Sequence, residues 1–146
     1  MRRARVDWEE RLSRAGGRIT TPRRTVMAVL QRAARLLTPQ EIHARGRRFH
    51  RSLGLATVYR ALAVLERAGL VRRVHLADRC DGYMLASPGH YHVLVCRRCG
   101  RTVEFAGAED LEGLIAQVER GTGFCVEDHL LQLVGLCAPC QGERPS

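Results

Sequence analysis

Two Cys-x-x-Cys pairs stand out in this chain, Cys96/Cys99 and Cys137/Cys140. Thiolates in two such pairs match the ligand set of a closed, tetrahedral zinc site, which contributes folding energy and leaves no position open for chemistry. Immediately before the first pair lies His90-Tyr91-His92. Residues two apart on a strand point to the same face, so both imidazoles can serve one ion. Glu112, opening an expected helix, and His129, opening an expected strand, are within reach of that face. Mixed imidazole and carboxylate donors suit Zn(II), Fe(II), Ni(II) or Mn(II) and exchange more readily than four thiolates. His75, Cys80 and Glu104 form a third candidate set. Cys125 reads as a core residue.

The elements that must position these groups follow from periodicity and punctuation. Val6 to Ala15 reads as a short surface helix stopped by Gly16-Gly17. Thr20-Thr21-Pro22 supplies a hydroxyl cap and a proline for a helix over about 22–34. Thr38-Pro39-Gln40-Glu41 has capping-box spacing for a second helix, ending near Phe49. A third runs from Ala56 to Ala68, with Val58, Leu62 and Leu65 on its buried stripe and Gly69 as its stop. Leu70–Leu76 and Tyr83–Leu85 read as a hairpin. Three helices followed by a hairpin is a winged helix-turn-helix, whose helix after the turn enters the major groove.

The second half reads as strand, strand, helix, strand: Val93–Val95, Thr102–Phe105, Asp110–Arg120 and Leu130–Val134, closed by the two cysteine knuckles. The fold class is therefore α+β, with a winged helix over 1–87 and a small α/β unit over 88–146 that carries the four-cysteine zinc site. Exposed strand edges in that unit favour dimerisation.

Charge separates the halves. The chain carries a net +9, with 24 basic residues, all arginine. Residues 1–73 hold 18 arginines and five acids, a net +13, whereas residues 74–146 hold six arginines and ten acids, a net −4. A basic half joined to an acidic half suits a polyanion partner for the first half only. Thr57, Tyr59 and Arg60, at the start of the third helix, suit phosphate, thymine-methyl and guanine contacts. Arg18, Arg23 and Arg24 add candidate DNA contacts. No apolar run approaches the roughly 20 residues that span a bilayer, and the N-terminus lacks a signal-like apolar core. The expectation is a cytoplasmic protein without membrane contact, whose cysteines serve as metal ligands more than disulfides.

Thr21-Pro22-Arg23-Arg24, Ala56-Thr57-Val58-Tyr59-Arg60-Ala61-Leu62, Gly69-Leu70-Val71, His90-Tyr91-His92, Cys96-Arg97-Arg98-Cys99-Gly100 and Gly135-Leu136-Cys137-Ala138-Pro139-Cys140 together resemble the ferric uptake regulator family, in order and over nearly the whole chain. The resemblance implies a homodimeric, metal-dependent transcription factor, usually a repressor. It implies structural Zn(2+) on Cys96, Cys99, Cys137 and Cys140, and a regulatory ion on His90, His92, Glu112 and His129. His92 stands where iron-type members carry aspartate, which looks more like the zinc uptake regulators. His75 falls on a position that supplies a zinc ligand in some of these. Tyr91 and Val93 replace histidines common in the family, and Ala86 replaces a zinc-type cysteine for which Cys80 is the candidate substitute.

The implied mechanism is a population shift toward a dimer that fits an AT-rich inverted-repeat operator of double-stranded DNA. The regulatory ion is then Zn(2+), with Fe(2+) or another divalent metal as the alternative. Competing readings are a DNA-binding protein with structural metal only and, more remotely, a zinc metalloenzyme. No Gly-rich phosphate loop or His-Glu-x-x-His motif supports the last.

Overall fold

In a computed structural model of the chain, residues 2–76, 81–107 and 111–142 are described, the side chains of 2–7 excepted. The order is α1 (Arg2–Arg14), α2 (Thr21–Gln31), α3 (Pro39–Gly46), α4 (Leu55–Arg67), β1 (Val71–Val74), β2 (Gly82–Leu85), β3 (Tyr91–Cys96), β4 (Thr102–Ala106), α5 (Glu112–Thr122), β5 (Gln132–Gly135) and α6 (Ala138–Gln141). The chain divides into two compact units, Met1–Pro88 and Gly89–Ser146. No helix among the described residues is long and apolar enough to cross a membrane.

The first unit is a winged helix. α2 starts where the sequence places it: the Thr20 hydroxyl accepts from the Arg23 amide at 3.4 Å, and Pro22 occupies the first turn, where no helical amide is needed. α3 has a complete capping box. Thr38 Oγ1 accepts from the Glu41 amide at 3.2 Å, and the Thr38 amide donates to the Glu41 carboxylate at 2.9 Å. Arg35 also reaches Glu41, at 2.6 Å, and this hydrogen bond holds the carboxyl at a pKa of about 2. α4 buries Val58, Ala61, Leu62 and Leu65, one stripe at helical spacing. It ends before Gly69, whose φ of +70° an L side chain rarely adopts.

β1 and β2 pair antiparallel, Val71 opposite Leu85 and Val74 opposite Gly82. Leu37 adds a bridge to Tyr83, with both backbone bonds made, so the segment between α2 and α3 extends the wing. Two expectations need correction here. α1 is no mere surface helix, since Trp8 and Leu12, one turn apart, are 5% and 0% exposed within the shared core; the bulk of Trp8 supplies the apolar contact that the flanking charges conceal. α3 stops at Gly46, capped by Arg47. Phe49 lies beyond it, exposed, with the Arg32 guanidinium 5.0 Å from its ring centre.

The second unit is a three-stranded sheet of order β4-β3-β5. β3 and β4 pair antiparallel across the first cysteine knuckle, His92 opposite Phe105 and Leu94 opposite Val103. β3 and β5 pair parallel, Leu94 opposite Leu133 and Cys96 opposite Gly135. A parallel neighbour requires a crossover, and α5 lies within it. Val93 and Val95 are buried. Cross-strand partners share a face, so Val103, Leu94 and Leu133 form one apolar row across the sheet, 47%, 41% and 45% exposed. α5 buries no residue, and Leu114 and Val118 on its apolar stripe are exposed. The expected helix start at Asp110 lies outside the described residues. Cys125, expected in the core, is exposed; it follows the end of α5 in a segment that buries nothing.

Candidate metal centres and nucleic-acid interface

The β3–β5 register brings the two cysteine knuckles together. Cys96 ends β3 opposite Gly135 of β5, two residues before Cys137, and α6 then carries Cys140 back. The Sγ atoms of Cys96, Cys99, Cys137 and Cys140 lie within 4.8 Å of one another. Cys99 and Cys137 are 3.7 Å apart, S to S. A tetrahedral ion with Zn–S bonds of about 2.3 Å requires sulfurs about 3.8 Å apart. The Cys99–Cys137 pair stands at that spacing, and the four-sulfur set suits a zinc ion with small adjustment.

Two of the thiols are pushed in opposite directions. The backbone N–H of Cys137 points at Cys96 Sγ from 3.4 Å and, with the amide of Cys99, lowers the Cys96 pKa to about 6. Hydrogen bonding with Cys137, and burial, push Cys140 up to about 12. One sulfur is thus ready as a thiolate, and the remaining protons leave as a cation enters. Arg98 donates from Nη1 to the Cys140 carbonyl at 2.9 Å, tying the two knuckles by a contact outside the sulfurs.

A second cluster forms at the other end of β3. His90, His92 and His129 offer nitrogens that all lie within 4.8 Å of one another. Ring centres are 4.9 Å apart for His90 and His92, 4.5 Å for His90 and His129, and 5.4 Å for His92 and His129. His90 Nε2 and His129 Nε2 share one hydrogen bond at 2.8 Å. His92 is 2% exposed, packs against Phe105 at 5.5 Å and donates from Nε2 to the Gly107 carbonyl at 2.8 Å. Tetrahedral Zn–N bonds of about 2.0–2.1 Å would need nitrogens about 3.4 Å apart, so the His90–His129 pair, now at 2.8 Å, opens slightly as the triad adjusts around an ion. Glu112, exposed in the first turn of α5, is not part of the group.

Of the third candidate set, Cys80 lies outside the described residues. His75 is held by Asp81, Nδ1 to Oδ1 at 2.8 Å, and Asp81 also pairs with Arg73 at 3.7 Å. Glu104 lies on β4, in the other unit.

The candidate DNA surface is built on α4. Tyr59 is 44% exposed and Arg60 is exposed, while Arg60 Nη2 donates to Thr57 Oγ1 at 3.1 Å, so Thr57 steers the guanidinium beside it. Gln40 of α3 donates to the Tyr59 hydroxyl at 3.3 Å. Sequence reading missed Gln40, since nothing in a one-dimensional pattern pairs residues 19 apart on two helices. Arg18 is exposed, and its carbonyl accepts from Arg23 Nη1 at 2.6 Å. Arg24 pairs with Glu9 of α1 at 3.4 Å. Arg23 and Arg24 therefore carry intramolecular contacts that a phosphate would have to share or displace.

Residues 14–134 match the model of the ferric uptake regulator family. The chain is 35% identical to the zinc uptake regulation protein of Mycobacterium tuberculosis over 130 residues, covering 89% of this chain and 99% of the relative. Among solved structures it resembles the ferric uptake regulator of Pseudomonas aeruginosa with manganese, at 30% identity and a TM-score of 0.62, covering 89% of this chain and 97% of that one. It also shares its fold with a zinc uptake regulator complexed with zinc and DNA, at 24% identity and a TM-score of 0.73, covering 92% and 95% of the two chains.

Proposed function

The chain belongs to the ferric uptake regulator family, and on that premise we propose that it is a zinc-responsive DNA-binding transcriptional regulator, acting as a homodimeric repressor of metal-uptake genes. The observation that carries this reading is the separation of two donor sets on one strand. β3 ends in a four-sulfur cluster and begins in a three-imidazole cluster. A closed thiolate site holds its ion across a wide range of conditions, whereas imidazoles release theirs. Cys96, Cys99, Cys137 and Cys140 hold the structural zinc. His90, His92 and His129 would hold the regulatory ion, with Glu112 or water completing the donor set. Imidazole donors without an obligatory carboxylate favour zinc over the harder iron(II) and manganese(II).

Bound at the imidazoles, the ion supplies a crosslink and no redox chemistry. His90 and His92 fix their end of β3 to His129, which precedes β5, and the sheet between them is held in one register. The apolar row Val103, Leu94 and Leu133 and the exposed side of α5 are covered by a second copy, since the same patch on both partners satisfies a two-fold interface. Two copies present two α4 helices to the half-sites of an inverted repeat. Tyr59, Arg60 and Thr57 read base edges and adjacent phosphates there, and Arg18, Arg23 and Arg24 contribute backbone contacts. Occupancy at the histidines is linked to DNA affinity by population shift. No catalytic step is assigned, and cysteines serving as metal ligands beside a DNA-binding unit support a cytoplasmic location.

The test is operator binding across a buffered series of free Zn(II) and Fe(II), with metal counted per protomer. Tight binding that appears as a second zinc loads is expected. Affinity that is unchanged when only the four-thiolate zinc remains would leave a DNA-binding protein with structural metal alone.

A further inference from the structure

The outward side of α3 carries a basic surface that α4 does not account for. His43, Ala44, Arg47, Arg48 and Arg51 line an open groove of about 520 Å³, and none of these residues is acidic. His43 and Ala44 lie on one side of α3, and Arg47, Arg48 and Arg51 extend that surface past the helix end at Gly46. Pro39, Ile42 and Gly46, which face the core, recur on the other. Backbone acceptors hold two of the walls: His43 Nε2 donates to the Leu53 carbonyl at 2.8 Å, and Arg47 Nε donates to the Arg51 carbonyl at 3.3 Å.

The groove shares a helix with a residue that touches the α4 surface. Gln40, one turn before Ala44 on the same side of α3, is the residue that bonds the Tyr59 hydroxyl. In helix-turn-helix docking the helix before the turn crosses the phosphate backbone. Guanidinium groups gathered in a concave surface without a counter-charge match phosphodiester oxygens in geometry and sign. Complementing the negative end of the α3 dipole accounts for a cation in the last turn, but not for three arginines around one groove reaching past the helix to Arg51.

We propose that this groove is a second DNA contact, in which Arg47, Arg48 and Arg51 seat backbone phosphates beyond those reached from α4. The inference rests on the DNA-binding reading above and adds to it. The contact carries no sequence information, so it raises affinity for operator and non-operator duplex alike and steepens the dependence on salt.

The experiment compares wild-type protein with the triple variant Arg47→Gln, Arg48→Gln, Arg51→Gln, both full-length and zinc-loaded. The probe is a random-sequence duplex of about 30 base pairs, titrated by fluorescence anisotropy from about 50 to 200 mM salt, the range over which phosphate contacts are read. Each lost phosphate contact lowers the slope of log affinity against log salt by about 0.9, so the triple variant should lose about 2–3 per engaged protomer. Replacement of the same three arginines by lysine should retain most of the slope. Circular dichroism and the thermal midpoint check that the variant is folded. If it is not, the single variants Arg48→Gln and Arg51→Gln should each lose about one contact's worth of slope. Equal slopes for wild type and folded variants, in a wild type that binds in a salt-dependent manner, overturn the groove and leave the DNA-binding reading standing. A wild type that fails to bind duplex overturns both. Inorganic pyrophosphate that saturates wild type, but not the triple variant, at micromolar concentration would instead mark a small-anion site and overturn the proposal.

Discussion

His92 donates from Nε2 to the carbonyl oxygen of Gly107 at 2.8 Å. A carbonyl only accepts, so the proton sits on Nε2 and, in the neutral ring, the lone pair available to a cation is on Nδ1. Metal-bound histidines commonly donate their second nitrogen in this way, which fixes ring orientation and raises ligand basicity. Gly107 is also sterically confined, because a Cβ there would lie 3.0 Å from His92 Cδ2.

Gly107→Ala should therefore displace the His92 ring and weaken the imidazole site by about 10–100-fold, the scale for loss of an outer-shell partner. The four-thiolate zinc should stay bound. Competition with a chromophoric chelator reads the two sites separately. An unchanged affinity at the weaker site would detach His92 from metal binding.

Glu112 and His129 should behave differently. His129 shares a hydrogen bond with His90 and belongs to the imidazole group, whereas Glu112 does not. His129→Ala should remove the second metal equivalent altogether, and Glu112→Ala should weaken it by no more than about tenfold, within the range for a supporting group. Metal analysis after gel filtration distinguishes them. A Glu112→Ala protein with one metal per protomer would make the carboxylate an essential ligand.

Cys96→Ser removes the sulfur that the Cys137 and Cys99 amides prepare as a thiolate. The expected outcome is loss of the structural zinc and of a cooperative thermal transition for the second unit, since binding free energy at such a site is folding free energy. Calorimetry of the variant beside wild type checks it. A retained transition would show that Val93, Val95 and their neighbours suffice without the ion.

The α3 capping box gives a pH signature. Glu41 is held at a pKa of about 2, first by its hydrogen bond from Arg35, against an ordinary 4.5. A depressed carboxyl stabilises the fold fully above its unfolded value and loses that contribution as pH falls through the folded one. Wild type should therefore lose stability relative to Glu41→Gln between about pH 4.5 and 2. Above that range it should exceed the variant by about 1 kcal/mol or less, because the pair is partly exposed. Urea melts of both proteins across this range test it. A difference that does not change with pH would remove the ionised carboxylate from the cap.

The N-terminal unit was legible because its signals are local. Thr20, Thr38, Glu41 and Gly69 act within one turn of their own position, and Val58, Leu62 and Leu65 repeat at the helical period. The knuckle cysteines were legible for the same reason. What escaped is non-local or made by backbone. The parallel pairing of β3 with β5 joins residues about 40 apart, and the Leu37–Tyr83 bridge spans a whole helix pair. Gly107 acts through a carbonyl, which every residue has, so no residue type announces it. Trp8 was hidden by the charges around it. Glu112 was placed by its position at a helix start, but proximity to an expected strand does not determine where an exposed carboxylate lies.

The parallel return of β5 also orders the filling of the two centres. One short segment delivers both His129, which precedes β5, and Cys137, which follows it. The segment pairs along β3 from Val93 to Cys96. With the sulfur end clipped, His129 is already local to its partners, and the imidazole site closes as an intramolecular step. With that end open, the same site must gather a ligand from a loose chain. On the proposed assignment occupancy should therefore be hierarchical, with the thiolate centre as the assembly step and the histidine centre as the readout, and a chelator strong enough to strip the first should also disable the second.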